Sequence, residues 1–203
     1  TMTIVPVASS LNVEYDGPTV IDVDDNAGEI IWLNAKCYPE EAMQTVMWKS
    51  SNTNVATVSV IGGVKLTGKT GAVTFTASTI DGSRKSVSVK LTITRNMDTL
   101  LISGADMVVG GKRVTYKAVC DQNATNKKVI WSLSGDTDYA TLSASGALKA
   151  KAVTAPKYVT VTATAADGGG ATASMDVVIY PIVTKINIFL GSEVVTGKTL
   201  AGS

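Results

Sequence analysis

The chain has 203 residues with 18 basic and 17 acidic side chains and no histidine. The missing histidine excludes a Ser-His-Asp triad, a Cys-His dyad and every His-ligated metal site. The near-zero net charge, without a strongly basic segment, gives no footprint for nucleic acid.

Thr and Val occur 26 times each, against 11 Leu. β-Branched residues therefore outweigh the usual helix formers, and an all-β chain is predicted. No apolar run approaches the roughly 20 residues of a membrane span. The start, Thr1 to Pro6, lacks the basic region of a signal peptide.

In chain order, the first marked segment is Asp22-Val23-Asp24-Asp25-Asn26. Alternation would put Asp22 and Asp24 on one face of an edge strand, where charge discourages edge pairing. The alternative is weak calcium binding at Asp22, Asp24 and Asp25. The glycine and distal glutamate of an EF-hand loop are not in their places. Trp32 is expected in a core or interdomain position; exposed, it would mark a carbohydrate or protein contact.

Cys37 precedes Trp48 by 11 residues, and Cys120 precedes Trp131 by 11, so equivalents lie 83 apart. Val55-Ala56-Thr57-Val58-Ser59 matches Tyr139-Ala140-Thr141-Leu142-Ser143. Val73-Thr74-Phe75-Thr76-Ala77 matches Val159-Thr160-Val161-Thr162-Ala163 at an offset of 86, as Asp81-Gly82 matches Asp167-Gly168. The chain is thus an internal repeat with short loop insertions in its second copy. Leu100, Ile102, Val108, Val109, Gly111 and Lys112 recur as Ile186, Ile188, Val194, Val195, Gly197 and Lys198, the beginning of a third copy. The expected divisions are 1–95, 96–181, and 182–203 as a partial third repeat or C-terminal arm, with Pro181 as a hinge.

Val87 to Ile93 alternates with period two, placing Val87, Val89, Leu91 and Ile93 on one face. Asp81-Gly82 and Asp167-Gly168 sit between such runs, where hairpins need positive φ. About seven short strands per copy predict two tandem immunoglobulin-like β-sandwiches. Trp48 and Trp131 would be the large core anchors. Val55, Val58, Val73 and Phe75 would surround the first, and Leu142, Val159 and Val161 the second.

Gly63-Val64-Lys65-Leu66-Thr67-Gly68-Lys69-Thr70 fits the phosphate-loop pattern, but a strand follows where that chemistry needs a helix. It reads as two turns flanking a short strand. Asp167-Gly168-Gly169-Gly170 reads as a permissive hairpin turn, with a flexible binding tip as the alternative. Cys37 and Cys120 hold equivalent positions in different copies, too far apart for a bridge. Buried thiols are expected, with a cross-chain disulfide as the alternative.

Val46-Met47-Trp48-Lys49-Ser50-Ser51-Asn52-Thr53-Asn54-Val55-Ala56-Thr57-Val58 resembles the signature run of bacterial immunoglobulin-like group 2 domains. Gly63 to Gly68 and Gly71 to Ala77 fill the slots of that family's following turn and strand. The second copy matches through Val129-Ile130-Trp131-Ser132-Leu133-Ser134, Tyr139 to Leu142 and Gly146-Ala147-Leu148. It lacks the Ser-Asn pair and the second turn glycine. The resemblance implies a spacer, display or binding role and no common catalytic residue.

The expected function is a non-catalytic structural or adhesive module of a bacterial cell-surface or secreted protein. The alternative is a phage tail or capsid decoration protein whose arm adds a strand to a neighbour. No catalytic, cofactor-binding or metal residue is assigned. The expected partner is a protein or surface glycan, with neighbouring immunoglobulin-like domains or subunits engaged through 182–203. The expected location is extracellular or the cell surface, or else a virion.

Overall fold

The structure, a computed structural model, describes residues 5–184, 188–190 and 193–195. The first repeat holds β1 (Ser10–Glu14), β2 (Val20–Asp22), β3 (Ile30–Trp32), β4 (Asn34–Tyr38), β5 (Val46–Ser50), β6 (Ala56–Val58), β7 (Gly63–Leu66), β8 (Gly71–Thr79) and β9 (Ser86–Thr94). The second holds β10 (Leu100–Ser103), β11 (Met107–Val109), β12 (Arg113–Thr115), β13 (Lys117–Cys120), β14 (Val129–Gly135), β15 (Ala140–Leu142), β16 (Ala147–Ala150), β17 (Lys157–Ala165) and β18 (Thr172–Tyr180). A 3-10 turn, Thr137–Tyr139, precedes β15.

Both repeats build the same three sheets. In the first, the orders are β2-β9-β8-β5, β3-β7-β6 and β1-β4; in the second, β11-β18-β17-β14, β12-β16-β15 and β10-β13. This is the all-β tandem of sandwiches that the repeat predicts.

Each repeat has nine strands rather than seven because two strands are split between sheets. The opening strand pairs antiparallel as β1 with β4, then crosses and pairs parallel as β2 with β9. β10 and β11 do the same against β13 and β18. The next strand breaks at Leu33 in one repeat and at Tyr116 in the other. There the Leu33 N–H donates to the Gly62 carbonyl at 3.0 Å, and the Tyr116 N–H to that of Gly146 at 2.8 Å. Gly62 and Gly146 have φ of 87° and 80°. A side chain would be strained there, and its Cβ would also press on the carbonyl of Leu33 or Tyr116.

Alternation in β9 is as expected: Leu91 and Ile93 are buried, Val87 and Val89 half-buried, and Ser88 and Lys90 exposed. The first core centres on Leu33, Val64, Val73, Phe75, Leu91 and Ile93, and the second on Tyr116, Leu148, Val159, Val161, Val177 and Ile179. Trp48 and Trp131 are not the centre. Both are half-buried and pack against these cores from the side. Each stands on an outermost strand, β5 or β14, opposite a buried alanine, Ala77 or Ala163. An edge strand has no neighbour to cover the second side of the indole. Phe75 and Tyr116 hold the interior instead.

Beyond β18, β19 (Ile188–Leu190) and β20 (Glu193–Val195) pair antiparallel with each other. Their counterparts β10 and β11 each pair with other strands. The rest of the expected third copy, 185–187, 191–192 and 196–203, lies outside the described residues. The chain divides into two compact units. Of the described residues, one is built on those up to Asp98 with Asp121–Lys127 and Asp167–Gly169, the other on Thr99–Cys120, Lys128–Ala166 and those from Gly170 onward.

Candidate binding face

The three-stranded sheet of the first repeat turns Ile31, Val58 and Val64 toward the core. Period-two alternation then points Ile30, Trp32, Thr57, Gly63 and Lys65 outward. Trp32 is therefore not a core residue. It is 49% exposed, and Ile30, two residues away on the same face, is 51% exposed. Trp32 stands opposite Gly63, and Ile30 opposite Lys65. A Cβ on Gly63 would lie 3.1 Å from Ile30 Cγ2 and 3.3 Å from Trp32 Cζ3, so both side chains lean over the bare glycine. Ser59 Oγ accepts the Gly63 N–H at 2.9 Å and keeps this turn in register.

The second repeat presents the same face with different chemistry. Arg113 stands opposite Lys149 across β12 and β16, Thr115 opposite Ala147, and Thr141 opposite Lys149. Thr115 thus occupies the slot of Trp32, as the repeat alignment expects. A shallow hollow of about 370 Å³ is lined by Arg113, Thr141, Ser143, Ser145 and Lys149. Ser143 Oγ accepts the Ala147 N–H at 3.0 Å and lies 2.9 Å from Ser145 Oγ. Arg113 and Lys149 were not singled out in the sequence. Aligning the copies strand by strand would have exposed them, because Arg113 replaces Ile30 while Lys149 matches Lys65.

The other candidates resolve into structural roles. β2 ends at Asp22, and Asp24 and Asp25 lie in the turn that follows, not on a strand face. Asp22 Oδ1 accepts the Asp24 N–H at 2.8 Å and Oδ2 the Asn96 N–H at 2.6 Å. Asp24 pairs with Arg95 at 2.7 Å, which holds the guanidinium pKa up. Asp22 is thus engaged by backbone and Asp24 by a guanidinium, and no group of three or more metal-ligating side chains forms among the described residues.

The phosphate-loop lookalike is strand β7, then a turn with Gly68 at φ 85°, then strand β8. Asp81 Oδ1 accepts from the Ser83 hydroxyl at 2.6 Å and the Ser83 N–H at 2.9 Å, while Oδ2 takes the Ala8 N–H at 2.6 Å. Those bonds, the Ser83 hydroxyl foremost, lower its pKa from 3.8 to about 2. Asp167 takes the Met97 N–H at 2.6 Å and the Gly169 N–H at 3.0 Å. The Asp-Gly hairpins are clasps on the start of each sandwich, a role that their local sequence does not reveal.

Cys37 and Cys120 stand opposite Leu11 and Leu100 in matching registers, and no disulfide joins them. Cys37 is buried, and that burial raises its thiol pKa, with Asp81 adding to the rise. Cys120 is only half-buried, short of the expectation. Among the described residues no helix is long and apolar enough to cross a membrane.

No family model matches the chain. An uncharacterized protein of Clostridium acetobutylicum is 32% identical over 156 residues, 75% of this chain and 16% of that protein. A 3-O-alpha-D-galactosyl-alpha-L-arabinofuranosidase of Bifidobacterium longum is 38% identical over 44% of this chain and 8% of its own length. A lacto-N-biosidase of Bifidobacterium bifidum is 35% identical over 48% of this chain and 8% of its own. The chain therefore spans a small fraction of these relatives. Among solved structures, sidekick-1 immunoglobulin domains 1–4 align with a TM-score of 0.53 at 13% identity, covering 90% of this chain and 51% of that one. That likeness is one of fold. The chain is a tandem of immunoglobulin-like sandwiches, similar in sequence to short stretches of much larger bacterial proteins.

Proposed function

We propose that this chain is a non-catalytic module of a bacterial cell-surface or secreted protein, of the immunoglobulin-like group 2 type, that spaces, displays or binds. One observation carries this reading: the sequence likeness occupies only 8–16% of each larger relative, while the same sandwich is built twice within 203 residues. A unit repeated in tandem and found as a small part of long chains behaves as a module. The chemistry of its acids supports the reading. Asp22, Asp81, Asp136 and Asp167 each accept a backbone N–H from a distant part of the chain. An acid held this way props up the fold.

The partner class we favour is a surface glycan, because two of the relatives are named for cleaving glycosides. The test is to incubate the chain with a panel of bacterial and mucosal glycans, measuring both retention and product formation. Retention of at least one glycan, with every glycan recovered intact, is the expected result. Glycan turnover abolished by a single substitution would overturn the proposal.

A further inference from the structure

The second repeat's outer face carries a charge arrangement that the fold does not require. Arg113 and Lys149 are direct cross-strand partners on β12 and β16. Like charges placed opposite each other on a sheet destabilise it. A carboxylate nearby would relieve them, yet neither cation has one within ion-pair distance among the described residues. The equivalent pair in the first repeat is Ile30 and Lys65, one apolar side chain and one cation. The same sheet is thus built without a second positive charge.

Geometry adds to charge. The hollow of about 370 Å³ has Arg113 and Lys149 on its wall, together with Thr141, Ser143 and Ser145 and the apolar Leu142 and Ala147. Arginine offers a planar fork of donors that matches the paired oxygens of a carboxylate or sulfate. Lysine adds a point charge, and the hydroxyls can donate to or accept from the ring oxygens and hydroxyls of a sugar.

We propose that the Arg113–Lys149 hollow binds the anionic group of an acidic polysaccharide, a uronate carboxylate or a sulfate ester, with the adjoining sugar over Thr141, Ser143 and Ser145. The proposal rests on the module reading above and names a site and a ligand class for it. The anion bridges the two cations and removes their repulsion, so the site is electrostatically complementary to this ligand and indifferent to a neutral glycan.

The test is affinity electrophoresis of the chain through gels containing polygalacturonate, dextran sulfate or neutral dextran. Retardation is expected in one or both acidic gels and not in dextran, and the stronger retardation distinguishes carboxylate from sulfate. The double variant Arg113→Thr, Lys149→Thr should bind about tenfold more weakly, since charge-assisted contacts of this kind are strong. The double variant Lys49→Thr, Lys90→Thr removes the same charge from exposed positions of a different sheet and should bind like the parent. Circular dichroism of both variants checks folding.

Equal weakening by the two double variants would reduce the effect to net charge and overturn the site. So would equal retardation in dextran, or none in any acidic gel. A single-stranded DNA oligonucleotide bound as tightly, and lost with the Arg113 and Lys149 substitutions, would overturn the saccharide assignment. Retention of neutral glycans that ignores this pair would leave the module reading standing and remove this inference alone.

Discussion

Asp81 and Ala8 are 73 residues apart in sequence, yet the Ala8 N–H donates to Asp81 Oδ2 at 2.6 Å. Asp81 sits in the hairpin between β8 and β9, and Ala8 is a buried residue just before β1. The contact ties the last hairpin of the sandwich to its first strand. Asp167 and Met97 repeat it at the same distance, with Met97 also buried. A parallel device joins Ser51 and Thr74: the Thr74 N–H donates to Ser51 Oγ at 2.8 Å and the Ser51 N–H to the Thr74 carbonyl at 2.9 Å. Asp136 and Tyr158 reproduce this reciprocal pair.

The clasp makes stability depend on pH. Asp81 has a folded pKa of about 2, below its ordinary 3.8, so the native state favours the carboxylate. Its contribution is fully present above the ordinary value and is lost as pH falls through that value toward about 2. In Asp81→Asn this group no longer titrates. The variant should be less stable at neutral pH, and the two proteins should converge as pH approaches the lower value. Urea midpoints across that window measure it; parallel curves for the two proteins would contradict the role of the carboxylate.

What could be read from sequence follows physical range. The repeat was legible because Cys37 and Trp48, like Cys120 and Trp131, sit at fixed positions on consecutive strands. The strands were legible because Leu91 and Ile93 alternate with polar residues within a few positions. The clasp of Asp81 on Ala8 was not, because any aspartate before a glycine looks like a turn whatever its carboxylate reaches. The breaks at Leu33 and Tyr116 were hidden for the same reason: each depends on a backbone bond to a distant glycine. Trp32 was misplaced because a tryptophan in an apolar stretch resembles core, and only the register against Gly63 shows which way it faces. Of the candidate binding faces, the Arg113–Lys149 pair needed strand register to become visible.

Gly62 combines a φ of 87° with close approach to the Leu33 carbonyl, whereas Gly68 has φ 85° and nothing near its missing Cβ. Gly68→Ala should therefore cost only the left-handed backbone penalty, about 1 kcal/mol. Gly62→Ala adds displacement of the Leu33 backbone and should cost about 2 kcal/mol or more. Chemical denaturation of the two variants ranks them. Equal losses would show that the strand break at Leu33 tolerates movement.

Trp32 and Trp48 should separate cleanly on truncation. Trp48 packs against the first core and against the cluster of Ala8, Leu11, Cys37, Ala42 and Ala77. Trp48→Ala should cost about 3 kcal/mol. Trp32 covers Gly63 with one side of its ring and leaves the other to solvent, so Trp32→Ala should cost about 1 kcal/mol or less. Thermal unfolding of both variants measures this. A large loss from Trp32→Ala would place it in the structural framework instead of on a binding face.

The two thiols should react at different rates. Cys37 is fully buried, its N–H donates to Gln44 Oε1 at 2.9 Å, and desolvation disfavours its thiolate. Cys120 is half-buried. Under native conditions iodoacetamide should label Cys120 well before Cys37, and unfolding in urea should bring the two rates together. Mass spectrometry of timed aliquots reports each site. Faster labelling of Cys37 would contradict the packing of β4 against β1.

As proposed, this chain holds a glycan and leaves it whole. The most direct measurement passes glycans over the immobilised chain and compares the masses of what is retained and eluted with those applied. Retention with unchanged masses is predicted. Shortened glycans in the eluate, produced by the parent chain and absent with a single-residue variant, would contradict it.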